Sequence, residues 1–307
     1  LSEVLLVAKK NGVKAGYTFF VNLWRKPANE LESIYLGSQL KQLYGSGNLY
    51  NIENSNASPY HLKLNGRKIG EVYSAILTEN NLGVYNFFSQ MDLNRTLFLL
   101  RRGILYLPDQ GLVGGIKLTN LLDLGADIGP DRRQVHSAFK HSQTYSIYKA
   151  FWGYDSNTIN SVYQKPNAYL EPKNAKQARD LWEKRGNLLV VERARLSTYT
   201  VLAAHLEDGV LSNVWWPIKI NEDSAKMLAV WINSTLGFLS LVSVAEVTQG
   251  PWVEFKKEYL WDMPVLDINS LSQAAREKLL NLYDRVKQIR FKSLPQEFAQ
   301  PDARETI

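Results

Sequence analysis

Between Met227 and Ala245 the chain runs MLAVWINSTLGFLSLVSVA, 19 residues without one charged side chain. A run of that kind has to be hidden, in lipid or inside protein. About 20 apolar residues cross a bilayer as a helix. Asn233, Ser234, Thr235, Ser240 and Ser243 interrupt the run, however, and no basic cluster flanks it closely. The pattern therefore predicts one buried core helix, and with it a globular body large enough to surround it. The 307 residues suffice for one large domain or two ordinary ones. With 45% hydrophobic and 21% charged residues, the chain is composed as a folded protein rather than a disordered one. Cysteine is absent, which excludes disulfides and thiolate metal sites and fits a cytosolic compartment. Asn233-Ser234-Thr235 reads as a glycosylation acceptor, but such triplets arise by chance and nothing else points to secretion.

The chain begins LSEVLLVAKK, a strand pattern at full strength from Leu1 with no Met before it, so a preceding segment is expected. Asn11-Gly12 marks a turn, and GYTFFVNLW, closed by Pro27, reads as a second strand. Leu31, Ile34, Tyr35 and Leu40 then recur near helical spacing. Residues 46–60 form a polar loop, HLKLNGRKIGEVYSAIL a hairpin around Asn65-Gly66, and NFFSQMDLNRTLFLLRRG a helix. From about residue 103 short apolar pieces alternate with Gly, Pro and Asp. GILYLP, IKLTNLLDLG, NLLVVERARL, YTVLAAHL and NVWWPIKI are strand-like, with helical segments between, which is α+β rather than regular βαβ alternation. Ser272 can cap a helix with a narrow seam of Ala275, Leu279, Leu282, Val286 and Ile289, suited to a helix of this chain or of a partner. SLPQEFAQPDARETI reads as a loose tail.

The net charge is +6. Residues 131–200 hold twelve Lys/Arg against six Asp/Glu, so this stretch carries the whole excess. A clustered positive field suits a polyanionic partner. Catalytic signatures do not accompany it: there is no G-x-S-x-G elbow, no P-loop and no G-x-G-x-x-G after a strand. His136 and His141 are five apart, the wrong step for one helical face, and no carboxylate cluster joins them, so no metal site is assigned. Ser58-Pro59-Tyr60 is one proline short of the N-P-P-Y that amino-methyltransferases use, and it sits in a polar loop, so it is not taken as catalytic.

Three segments together resemble a family. LSEVLLVAKK resembles one of the last strands of the catalytic domain in N6-adenine DNA methyltransferases whose target recognition domain lies C-terminal. IGPDRRQVHSAF and LLVVERARLSTYTVLAAHLEDGVLSNVWWPI resemble the recognition domain of such enzymes. LAVWINSTLGFLSL with TQGPWVEFKKEYLWDMPVLDI resembles the close of these domains, an ending shared by the specificity subunits of type I restriction systems. The likeness covers roughly residues 1–30 and 95–290. It implies an α+β chain with three parts. Residues 1–94 would be the end of an α/β methyltransferase core and a connecting region, 95–270 the DNA target recognition domain, and 271–307 a C-terminal helix and tail. In the family the S-adenosylmethionine and N-P-P-Y motifs precede the first matching strand. No catalytic or cofactor residue therefore carries over, and the methyltransferase core is expected upstream. The implied setting is a bacterial, cytoplasmic restriction-modification system. The implied partner is double-stranded DNA, with helix-mediated self-association or a restriction partner as further options.

An enzyme that extrudes a base needs a body that grips DNA through phosphates and reads base edges. The expected contacts are Arg132, Arg133, His136 and Lys140 beside the Gly129-Pro130 turn, and Arg193, Arg195, Ser197, Thr198 and Tyr199. Arg133 and His136 would lie near one helical face if the segment after the turn is helical; Arg193, Arg195 and Ser197 would share one face of a strand. Salt bridges of these arginines with Asp131 and Glu192 are the plain alternative. Of the adjacent Trp215 and Trp216, one is expected in the core and the other is free to reach the surface, with core packing favoured for the pair. Trp252 and Trp261 are expected in the core, as is the group Tyr145, Tyr148, Phe151, Trp152 and Tyr154, for which lining a surface is the alternative. The rival class is a module that stacks exposed Trp and Tyr on carbohydrate, which needs no basic cluster.

Overall fold

A computed structural model describes residues 17–46, 51–53, 58–76, 90–248 and 252–300. The expected first strand, LSEVLLVAKK, and the Asn11-Gly12 turn lie outside the described residues, as do Asn56 and Ala57 before Ser58. The chain divides into two units, Leu1–Arg95 and Thr96–Ile307.

In the smaller unit β1 (Tyr17–Leu23), α1 (Glu30–Ser46), β2 (Tyr60–Leu64) and β3 (Arg67–Ile76) form a three-stranded antiparallel sheet, in order β1-β3-β2, with a helix. The β2–β3 hairpin turns on Asn65 and Gly66, both with positive φ (49° and 76°), as the tightest hairpin turn requires. Leu36 and Leu43 of α1 pack on Leu62, Leu64, Ile69 and Val72, with Leu40 and Tyr60 beside them. Of the four apolar positions expected on this helix only Leu40 turns to the sheet. Leu31, Ile34 and Tyr35 are exposed, because the helix is apolar on two opposite sides and the sheet takes the other one. The helix α2 (Met91–Leu100) contains the division between the units. Its first turn is tied to β3, with the Met91 N–H donating to Glu71 and the Asn94 amide donating to the Tyr73 hydroxyl at 3.0 Å.

The larger unit is built on a mixed seven-stranded sheet. A short hairpin of β4 (Tyr106–Leu107) and β5 (Gly111–Leu112) and the strand β6 (Leu118–Asn120) precede it. Then come β7 (Asp127–Ile128), α3 (Arg132–Ala138), β8 (Phe139–Ser142), β9 (Lys149–Phe151), β10 (Ala168–Pro172), α4 (Ala175–Trp182), β11 (Gly186–Val191), β12 (Arg193–Arg195), β13 (Ala203–Ser212) and β14 (Trp215–Lys219). The sheet order is β7-β14-β11-β13-β9-β10-β8, and only the β13–β9 pair is parallel. The mixed α+β class is thus the observed one. Leu188 to Val191 are all fully buried, which marks β11 as a central strand covered on both faces. Helices α3 and α4 cover one end of the sheet, with Val135, Ala138 and Ala178 against Phe139, Ala150, Leu170 and Leu211.

The uncharged run forms two helices rather than the expected one, α5 (Glu222–Asn233) and α6 (Thr235–Ser243), bent by 86°. Ser234 causes the break. Its backbone is extended (φ −73°, ψ 166°), and its side chain donates to Trp231 O at 2.6 Å while accepting from the Gly237 N–H at 3.1 Å. It therefore ends one helix and caps the next. Only glycine fits at 237, since a Cβ there would lie 1.8 Å from Trp231 O. Both helices are buried in the unit, and among the described residues no single helix is long and apolar enough to cross a membrane.

The chain then forms β15 (Glu246–Val247), β16 (Trp252–Glu254), α7 (Lys257–Leu260), β17 (Pro264–Leu266), α8 (Gln273–Val286) and α9 (Leu294–Ala299). Ser272 caps α8 as expected, accepting from Ala275 N. The partner of its seam is α5 of the same chain. The expected loose tail is ordered as far as α9, because Phe291, Leu294 and Glu297 are buried and Glu297 accepts from the Lys292 N–H.

A polar clasp ties α8 to the sheet. His205 of β13 is buried; its Nδ1 is hydrogen-bonded to the Tyr283 hydroxyl at 2.7 Å, and its Nε2 lies 3.0 Å from Glu222 Oε1. Burial pushes the His205 imidazole below its ordinary value, against the upward pull of Glu222. The unfolded chain then binds the proton first, so this histidine's contribution is complete above about pH 6.5 and is lost as pH falls below it. Urea melts at pH 7.5 and pH 5 should show the larger unit weaker in acid, and His205→Gln should shrink that difference. An unchanged difference in His205→Gln would exclude His205 as its source.

Candidate nucleic-acid interface

The Gly129-Pro130 turn is rigid. Gly129 donates to Pro217 O at 2.7 Å, and a Cβ on it would lie 2.5 Å from Lys184 O, so glycine is required there. The Lys257 ammonium bonds Ile128 O and Gly129 O, and burial lowers its pKa. After the turn Asp131 caps α3 in a reciprocal box: its carboxylate accepts from Gln134 N at 2.8 Å, and Gln134 Oε1 accepts from Asp131 N at 3.0 Å. The segment is therefore helical, and Arg132, Arg133 and His136 project from it into solvent, with Lys140 exposed on β8. Arg133 lies 3.7 Å from Asp131, yet its side chain is 93% exposed; exposed pairs of this kind hold about 0–1 kcal/mol.

The second basic segment divides at Glu192. This residue leaves the seven-stranded sheet by donating its N–H to Val214 O and enters a three-stranded sheet, β12-β16-β15, by accepting from Phe255 N. Arg193 and Arg195 are exposed on one side of β12, and Ala194 is buried on the other. Arg193 pairs with Glu254 and Arg195 with Trp252 across the strands, and the Arg193 guanidinium sits 5.4 Å from the Trp252 ring centroid. Trp252 is exposed, contrary to the expected core position. The WVEF alternation carried the signal: Val253 and Phe255 are buried, which turns Trp252 and Glu254 outward.

Beyond Arg195 the expected strand face ends. Thr198 N and Tyr199 N both donate to Arg195 O, so the chain turns, and Ser197 and Thr198 are exposed on that turn instead of extending the arginine face. Tyr199 is not a surface contact. It is buried, stacked at 3.7 Å on Tyr154 and edge-on to Trp252 at 6.3 Å, and burial pushes its phenol up to about 12. Neither Trp215 nor Trp216 reaches solvent: β14 lies inside the sheet, and their indoles donate to Gly153 O and Phe255 O. Of the central aromatic group, Tyr145 is exposed while Phe151 is in the core.

Two segments distant in sequence meet at Glu192. Burial first, then Asp131 and Glu254, push the Glu192 carboxyl above its ordinary range, while Arg132 and Arg193 pull it down. Arg132 from α3 and Arg193 from β12 thus act on one carboxylate. The surface around it combines exposed guanidinium groups with an exposed indole, a set able to bind phosphates and contact bases. Among the described residues no group of three His, Asp or Glu side chains is placed to hold a metal ion. Compared with known proteins, the chain matches no family model and no curated sequence.

Proposed function

We propose that this chain is the DNA-gripping, target-recognition part of a site-specific N6-adenine DNA methyltransferase. The observation that carries the reading is the meeting of the Arg132 and Arg193 segments around Glu192, because a duplex reader needs its cations on one surface rather than scattered. The order of the three resembling segments supports it, as does the basic excess of residues 131–200. In the intact enzyme S-adenosylmethionine would bind to the upstream core, and the smaller unit would be the end of that core. A bacterial cytoplasmic restriction-modification system is the corresponding setting.

Carbohydrate stacking is the competing reading, and the exposed Trp252, like the exposed Trp24 and Tyr145, speaks in its favour. The Trp252 indole is flanked by Arg193 and Arg195, which suits an anion better than a neutral sugar. The deciding experiment is anisotropy titration of a labelled duplex at several salt concentrations. Non-specific dissociation constants near 10⁻⁴–10⁻⁶ M are expected at physiological salt, tightening steeply as salt is lowered. No binding at low salt, together with hits on a glycan array, would give the case to the rival.

A further inference from the structure

On the surface formed by α3, β8 and the residues after β9, the Trp152 indole lies between two imidazoles. His136 meets it edge-on, with 5.2 Å between centroids and 74° between planes; His141 stacks on it at 5.0 Å and 30°. Trp152 is half-buried and held by Asn167, which accepts from its N–H at 2.6 Å and donates to its carbonyl at 3.0 Å. Both imidazoles are exposed. Arg132 comes from α3, Lys140 from β8, and Lys173, just past β10, donates to the His136 carbonyl. The nearest carboxylate in the register is Glu171 of β10, opposite Lys140, and it is engaged by the Ser142 hydroxyl at 2.8 Å.

Partial burial first, then the charges of Arg132, Lys173 and His141, hold the His136 imidazole below its ordinary value. A phosphate placed there would reverse that field, favour the charged ring, and convert both ring nitrogens into charge-assisted donors. We propose that His136, braced by Trp152 with His141 stacked on its other side, forms a proton-linked phosphate contact on the DNA backbone, so that duplex binding takes up a proton and tightens as pH falls. The proposal rests on the DNA-binding reading and adds to it a proton-linked regulator at the α3 and β8 part of that surface. An imidazole changes charge between about pH 5 and 8, which puts the effect in the range a cell can use.

The test titrates the 307-residue chain with a labelled duplex of fixed sequence at low salt, at pH 8 and pH 6. Wild type is compared with the His136→Gln/His141→Gln double variant, and thermal melts at both pH values confirm that each protein is folded. Wild type should bind roughly tenfold more tightly at pH 6, the gain expected when about half a proton on average is taken up across these two pH units. The double variant should bind equally at both pH values, whatever its affinity at pH 8 relative to wild type. Calorimetry in buffers of different ionisation enthalpy should show proton uptake only in wild type. Binding by wild type that is independent of pH, or a pH effect that survives in the double variant, overturns the inference and leaves the DNA reading standing. Absence of duplex binding at both pH values overturns the DNA reading itself, and this inference with it.

Discussion

Asn233→Ala should destabilise the larger unit by about 1–3 kcal/mol, the range for stranding buried partners of a lost hydrogen-bonding group. Asn233 is fully buried at the end of α5. Its Oδ1 accepts from the Leu202 N–H at 2.8 Å, and its Nδ2 donates to Ala203 O at 2.7 Å and Ala229 O at 2.8 Å. Leu202 directly precedes β13, so the amide joins the helix bend to the sheet. Alanine would leave the Leu202 N–H buried with no acceptor, and it would remove the brace beside the Ser234 break. Urea denaturation should show a lower midpoint with the slope unchanged. A midpoint within error of wild type would mean that water or a local shift replaces the amide, and that the bend is held by Ser234 and Gly237 alone.

Replacing Arg195 by alanine should relax preference for one base pair in the target, whereas Arg132→Ala should weaken binding to every sequence. Arg193 and Arg195 stand on a strand paired along its length with β16, a firm support for reading base edges. A bidentate arginine on guanine contributes roughly 1–3 kcal/mol of discrimination. Arg132 lies in the first turn of a short helix beside a rigid loop, a place suited to the phosphate backbone. Loss of one phosphate contact should lower the salt slope by about one without altering preference. Selection from a randomised duplex library, with salt titrations on each variant, separates the two roles. Relaxed preference in Arg132→Ala with uniform loss in Arg195→Ala would reverse the assignment, and no change in either would assign both arginines to ordinary solvated surface.

The physical origin of each element explains which ones could be read directly. The Asn65-Gly66 turn was legible because its chemistry is local: two adjacent positive φ angles demand those residues whatever surrounds them. The Ser272 cap was legible for the same reason, since a cap and the N–H it accepts from lie within one turn. That Arg133 and His136 stand on a helix was only a condition, which the Asp131 box met. Leu31, Ile34 and Tyr35 misled because periodicity reports that a helix is amphipathic, not which of two apolar faces meets the sheet. The break at Ser234 was present in the letters N-S-T-L-G, but hydrophobicity summed over the run conceals a capping serine. Tyr199 misled because a residue after two exposed arginines continues their face only while the strand lasts, and Arg195 O ends it by capturing two N–H groups.

By itself the sequence determined the α+β class, the buried character of the uncharged run, the positions of the strongest turns and caps, and the location of the basic excess. These depend on composition, on spacing along a few turns, or on the conformational needs of single residues. Only the tertiary structure decided that Arg132 and Arg193 act on one carboxylate, that Trp252 faces solvent while Trp215 and Trp216 do not, and that two histidines enclose Trp152. Each of these depends on which strands become neighbours and which faces are covered, and pairing of distant segments is set by the packing of the whole chain rather than by any stretch of it.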